Sequence, residues 1–266
     1  MTVRLDEMSW VEIKEVLSKH NIVVWPIGST EEHGAHLPVN IDALCTTYAA
    51  EKAAKKVMDE TGITVLVAPT MPYGEVSLHK MFPGTIGIKA DTLIKVIIEV
   101  VKSFLEQGFN NLIALTGHRE NSSPIDVALT MVADDYPEAN IFGVNTMGLG
   151  FDVRPGLVKA GLAGMGHALE VETSQAMVYQ PQNVHLERAI VGSIKLPISE
   201  RYIGATGKDK TRGVIYCSGV TGFEESGTFG NPSMSCKETG EKIMTAQVND
   251  LADIIMQVAK LDKRFC

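Results

Sequence analysis

Imidazoles and carboxylates recur together three times in this chain. Glu31, His33 and His36 stand in one short stretch, with Asp42 shortly after. His118 and Glu120 form a second group, with Arg119 between them. His167 opens a third, followed by Glu170 and Glu172. In an extended segment, residues i and i+2 project to the same side. Glu31 with His33, and His118 with Glu120, can therefore each address one region. Imidazole with carboxylate suits zinc, manganese or iron, whereas calcium prefers an all-oxygen set. Asp42, just before a helical stretch, is placed to bridge two such cations. Two divalent ions sharing a carboxylate activate water near neutral pH, which is the chemistry of a hydrolytic site.

The first two groups directly follow apolar runs. Ile22 to Ile27 precedes the first and Leu112 to Leu115 the second. Continuous apolar runs of this length read as buried parallel strands. Two more strands are expected at Ile63–Ala68 and Ile141–Val144. Helices are expected over 6–19, 43–58, 91–107, 121–134 and 170–180, with a long closing helix over 235–261. Asp91 at the start of the third and Gly108 past its end supply a start and a stop signal. Strands alternating with helices imply βαβ units and an α/β fold: a mostly parallel β-sheet flanked by α-helices in three layers. Ligands of such sheets bind at the carboxyl ends of the strands, where the first two groups fall. Residues 181–232 read only as short strands and loops. No linker is visible, so residues 1–266 are read as a single domain. Trp25 and Trp10 both read as core.

Composition narrows the class. The 266 residues are 45% apolar and carry a net charge of −8. No Lys/Arg cluster stands out, which argues against a nucleic-acid partner. The apolar runs fall far short of the roughly 20 residues a membrane span needs. The first residues contain no apolar h-region of a signal peptide, so the expectation is a cytoplasmic protein. Cys45, Cys217, Cys236 and Cys266 show no C-x-x-C spacing and read as reduced thiols.

The motifs carry a resemblance. Gly28-Ser29-Thr30-Glu31-Glu32-His33-Gly34-Ala35-His36-Leu37-Pro38 followed by Asp42 resembles the signature of the creatininase family. So do Gly117-His118-Arg119-Glu120-Asn121, His167-Ala168-Leu169-Glu170-Val171-Glu172-Thr173-Ser174 and Phe82-Pro83-Gly84-Thr85. The resemblance implies a creatininase-like fold and two divalent metal ions (Zn, Mn or Fe). It implies that Glu31, Asp42 and His118 hold one metal. His33, Asp42 and Glu120 would hold the other. His167 matches the histidine proposed in the family as a proton shuttle, and Glu170 is taken with it as catalytic. Glu172 is a further ligand or a partner of a metal histidine. Ser77, His79, Arg119 and His36 are candidate substrate contacts. The family also implies a homo-hexamer.

The function expected is dinuclear metal-dependent hydrolysis by metal-activated hydroxide. Its substrate would be a cyclic amide or a related small cyclic carbonyl compound. The alternative is ring-opening C–C hydrolysis of a cyclic diketone such as 3-dehydro-scyllo-inosose. A rival of another class is a non-catalytic metal-binding assembly protein. The family's type enzyme is expected to wall its substrate with tryptophan, yet Thr146 to Gly166 contains none, and Phe151 is its one aromatic. Creatinine itself is therefore expected to be a poor substrate.

Overall fold

The computed structural model describes residues 2–160, 166–192 and 226–261. Four strands, β1 (Ile22–Ile27), β2 (Val65–Val67), β3 (Asn111–Thr116) and β4 (Asn140–Asn145), form one sheet in the order β2-β1-β3-β4. All three pairings are parallel, and β1 is in register with β3 from Ile22 opposite Asn111 to Ile27 opposite Thr116. The helices are α1 (Trp10–Leu17), α2 (Ile41–Thr61), α3 (Ala90–Glu106), α4 (Ser122–Asp135), the short α5 (Arg154–Leu157), α6 (Glu170–Tyr179) and α7 (Lys237–Ala259).

Side chains alternate across a strand, and the alternation sorts the layers. Val23, Trp25 and Ile27 of β1 pack with Val16 of α1, with Leu93, Ile97 and Val101 of α3, and with Ile125, Ala128 and Val132 of α4. Ile22 and Val24 face the opposite layer, against Ala49, Ala50, Ala53, Ala54 and Val57 of α2 and Leu251, Ile255 and Val258 of α7. The sheet is thus buried on both faces, which explains why β1 and β3 read as unbroken apolar runs. The alanine row on α2 lets that helix lie close to the sheet. At its start the approach is closest: a Cβ on Gly28 would stand 2.4 Å from the Ala43 Cα. Only glycine fits there, and the contact sets where β1 hands over to the loop carrying Glu31.

The expected strands and helices are present, with ends moved by a few residues. Strand β2 is shorter than expected, and the closing helix starts at Lys237. Trp10 corrects the sequence reading. It is 74% exposed, whereas Trp25 is buried at 4%. Trp10 is the first residue of a helix capped by Ser9 and Glu12, and that short helix buries only its Val16 side fully. Of the region expected as short strands and loops, residues 193–225 lie outside the described residues, as do Cys217 and Cys266. Cys45 and Cys236 are free thiols. No described helix is long and apolar enough to cross a membrane.

Candidate metal centre

The carboxyl ends of β1 and β3 bring Glu31, His33, Asp42 and His118 together, joined by Glu172 from the first turn of α6. His118 Nδ1 lies 3.1 Å from Glu31 Oε2 and 3.0 Å from Asp42 Oδ2. The other Asp42 oxygen, Oδ1, lies 3.6 Å from His33 Nε2, and Glu172 Oε2 lies 3.9 Å from that same nitrogen. Asp42 therefore presents one oxygen to each of two groups, Glu31–Asp42–His118 and His33–Asp42–Glu172. Ser29 Oγ donates to Asp42 Oδ2 at 2.6 Å and fixes the carboxylate plane.

The imidazoles are turned for coordination. The far nitrogen of His118, Nε2, lies 2.5 Å from the Glu75 carbonyl, and the far nitrogen of His33, Nδ1, lies 3.1 Å from the Glu31 carbonyl. Each carbonyl accepts an N–H, so in the neutral ring the near nitrogen is the lone-pair donor that faces the carboxylates. Metal-binding histidines are oriented in this way. Asn121, which closes the second motif, accepts from the Glu75 N–H at 3.0 Å and donates to the Gly28 carbonyl at 2.9 Å. It ties the loop of His118 to the loop that leads to Glu31 and to Glu75.

The donor set fits divalent cations. Glu31 Oε1 and His33 Nε2 are buried polar atoms with no hydrogen-bond partner, an arrangement that costs stability unless something else binds them. Among the described residues, the ion pairs of Glu31, Asp42 and Glu172 are all with histidines. Burial works against charging His33, but Asp42, Glu172 and Glu31 outweigh it and push its pKa up to about 10. His118 is likewise raised, by Glu31 and Asp42 against the effect of burial. Burial raises Glu172. Carboxylates that demand this much compensating charge will take a metal with neutral imidazoles in place of the protons.

A second buried cluster adjoins the first. His79 Nδ1 lies 2.6 Å and His167 Nε2 3.1 Å from the same Glu32 oxygen, Oε1. The His167 ring stands 4.4 Å from that of His33 and 4.1 Å from that of His79, centroid to centroid, and Phe229 packs on both His79 and His167. Ala168, next in the chain, has φ of +56°, a left-handed conformation that an alanine holds only under constraint. Its N–H donates to Glu172 Oε2 at 2.6 Å. That bond aims both His167 and Glu172 from a single turn.

The other expected site residues fall as follows. Glu120 Oε2 lies 3.5 Å from His118 Nε2, on the far side of the ring from Glu31 and Asp42. Glu172 thus stands beside His33 and Asp42 where the resemblance had placed Glu120. Glu170 is fully buried, but its carboxylate turns away from the cluster and accepts from the Lys159 and Ala160 N–H groups at 2.9 and 2.7 Å. It holds the loop at Lys159 and Ala160. His36 Nε2 is bonded to Thr173 Oγ1 at 2.9 Å. Burial and the neighbouring His33 push its pKa down to about 4, so His36 is neutral and braces α6. His79 lies inside the cluster. Ser77 and Arg119 are exposed, and Ser77 is hydrogen-bonded to Glu75. Sequence reasoning missed Glu32, Asn121 as a loop tie, and Phe229.

The role of Glu170 gives a direct expectation. Glu170→Ala removes the acceptor of two part-buried N–H groups, each bond worth about 0.5–1.5 kcal/mol. The metal-loaded variant should melt several degrees lower with unchanged metal content. Wild-type melting would show that Glu170 does not carry this loop.

The chain matches the creatininase family, described as creatinine amidohydrolase, over residues 6–255. It belongs to that family of hydrolases. The 3-dehydro-scyllo-inosose hydrolase of Thermotoga maritima is 27% identical over 96% of this chain and 83% of its own length. The mycofactocin precursor peptide peptidase of Mycolicibacterium smegmatis is 26% identical over 88% of this chain and 84% of its own length. Two solved creatininase structures share the fold, one a manganese form and one a mutant of Zn–Zn type. Each superposes with a TM-score of 0.81 at 21% identity, covering 97% of this chain and 99% of the other.

Proposed function

We propose that this protein is a dinuclear metal-dependent hydrolase that opens a small, polar cyclic carbonyl compound. The observation that carries the reading is Asp42, whose two oxygens serve two separate three-residue ligand groups. Glu31, Asp42 and His118 would hold one cation, and His33, Asp42 and Glu172 the other. Bound there, the pair would supply water activation near neutral pH and Lewis-acid polarisation of a carbonyl group.

The residues of the chain do the rest. The Glu75 and Glu31 carbonyls keep His118 and His33 in the tautomers that coordination requires. Ser29 holds the Asp42 carboxylate that the two groups share. His167 moves the proton to the leaving group. Its side chain is 13% exposed, against 1% for His33, 3% for His79 and 2% for His118. Of the four clustered imidazoles it is the one a substrate can reach. Phe229, against His79 and His167, supplies an apolar wall that excludes water.

A cyclic amide is the first substrate class. Ring-opening C–C hydrolysis of a cyclic polyol diketone is the second reading, favoured by a relative of that activity matching 96% of the chain. The test is an assay of zinc- or manganese-loaded protein against a cyclic amide and against 3-dehydro-scyllo-inosose. Hydrolysis of either, lost on metal removal and restored on reloading, is the expected result. Activity that survives metal removal would reject the mechanism.

Creatinine should be turned over poorly. It is small and flat, and an aromatic stacking partner is worth about 0.5–1.5 kcal/mol beyond the area it buries. The stretch from Thr146 to Gly166 has no tryptophan. Its one aromatic, Phe151, lies 5.8 Å from the Arg154 guanidinium. A kcat/KM for creatinine below about 10⁴ M⁻¹s⁻¹, the lower end of ordinary enzymes, is expected. Efficient creatinine turnover would overturn the substrate reading and leave the metal centre intact.

A further inference from the structure

We propose that Glu32 is the positioning residue of His167: its carboxylate accepts the Nε2 proton, fixes the ring tautomer and leaves Nδ1 to exchange protons at the metal centre. The inference rests on the reading of His167 as the proton carrier and assigns the residue that orients it.

Glu32 is 6% exposed and satisfied on both oxygens. Oε1 takes His167 Nε2 at 3.1 Å and His79 Nδ1 at 2.6 Å, while Oε2 accepts the Gly34 N–H at 2.8 Å. The Glu32 N–H in turn donates to Thr85 Oγ1 at 3.0 Å, so the Phe82–Thr85 block anchors its backbone. On the other edge of the His167 ring, Nδ1 faces Glu31 Oε2 at 4.0 Å, toward the Glu31–Asp42–His118 group. One edge of the imidazole is thus held by a buried carboxylate and the other faces the metal ligands. A carboxylate so placed keeps an imidazole in one tautomer and stabilises it once it carries a second proton.

The surroundings protect the pair from water. Gly227, at φ +63°, passes directly over the carboxylate, and a Cβ there would come within 2.1 Å of Glu32 Oε2. Phe229 covers both imidazole rings, at 5.8 Å from His79 and 5.4 Å from His167. Its N–H donates to the His167 carbonyl at 3.2 Å. In a site closed in this way, a charge-assisted hydrogen bond is stronger than it would be in water.

Glu32, His79 and His167 also lie close enough to hold a cation. Their hydrogen bonding argues for the relay. His33 leaves an orphaned Nε2 facing Asp42 and Glu172, whereas the Glu32 oxygens and the nitrogens aimed at them already satisfy one another. A metal would have to displace two protons and break both bonds.

The test is nitrogen-15 NMR of histidine-labelled, zinc-loaded full-length protein, with His167→Gln identifying the signal. The expected result is a slowly exchanging Nε2 proton on His167. It should be lost in Glu32→Met, which removes the acceptor, and retained in Glu32→Gln, which keeps one. A His167 proton on Nδ1 in the wild type, or an unchanged signal in Glu32→Met, would overturn the proposal. So would the loss of a third zinc equivalent in Glu32→Met, which would make the cluster a metal site. The wild-type spectrum alone decides the tautomer if the variant does not fold. In turnover of whichever cyclic probe is hydrolysed, Glu32→Met should lower kcat about 10²–10⁴-fold with KM little changed. Adding His167→Ala to it should then cost nothing further. Wild-type turnover in His167→Ala would instead refute the proton-carrier reading, and the spectrum would still report on Glu32.

Discussion

Asp42→Ala is expected to strip both cations at once, from about two per chain to nearly none. The reason is geometric. Asp42 Oδ2 meets His118 Nδ1 at 3.0 Å and Oδ1 meets His33 Nε2 at 3.6 Å, so no other ligand serves both groups. Turnover should fall by more than the roughly 10³-fold lost when a single oxyanion donor is removed. Glu172→Ala should lose one cation and keep the other. Glu120→Ala should keep both, because its carboxylate lies behind His118. Elemental analysis of protein purified without chelator reads all three, and circular dichroism shows whether each has folded. A folded Asp42→Ala that retains two metals would refute the shared-ligand assignment. Metal loss in Glu120→Ala would restore Glu120 to the site.

His167→Ala is expected to bind both cations with wild-type stoichiometry and to slow turnover by about 10²–10⁴-fold, the range for a positioned proton-transfer group. His167 lies near Glu31 and His33, but its Nε2 is taken by Glu32 and its Nδ1 is 4.0 Å from the nearest ligand oxygen. The loss should fall on kcat, since the proton is needed only as the leaving group departs. Metal loss in this variant would make His167 a ligand. Unimpaired turnover would make it a bystander.

Much of this was legible in the sequence for reasons that can be named. The apolar runs gave away β1 and β3 because both faces of the sheet are covered, and two groups of candidate ligands follow those strands directly. Glu32 was not legible. Between two ligand candidates, a second glutamate reads as a solvated flank, and only the turn at Gly34 together with the approach of residues 226–230 shows that it is buried. Glu170 and Glu172 were ambiguous for a different reason. Residues two apart on a helix point to nearly opposite sides. One of the pair must face the cluster and the other the loop ahead of it, and spacing does not say which. Trp10 misled because an apolar residue at the first position of a short helix has no neighbouring layer to cover it.

The separation in sequence of the candidate ligands has a thermodynamic consequence. Glu31, His33 and Asp42 lie near one end of the chain, His118 near its middle and Glu172 well beyond. Ions held among them would close large loops, and the entropy of closing a loop grows only slowly with its length. Each cation would then act as a removable cross-link between distant parts of the chain. Because the unfolded polypeptide does not present these ligands together, the folded fraction becomes a function of free metal. A cell short of the right ion would lose the protein itself as well as its activity, and supply of metal would set its abundance.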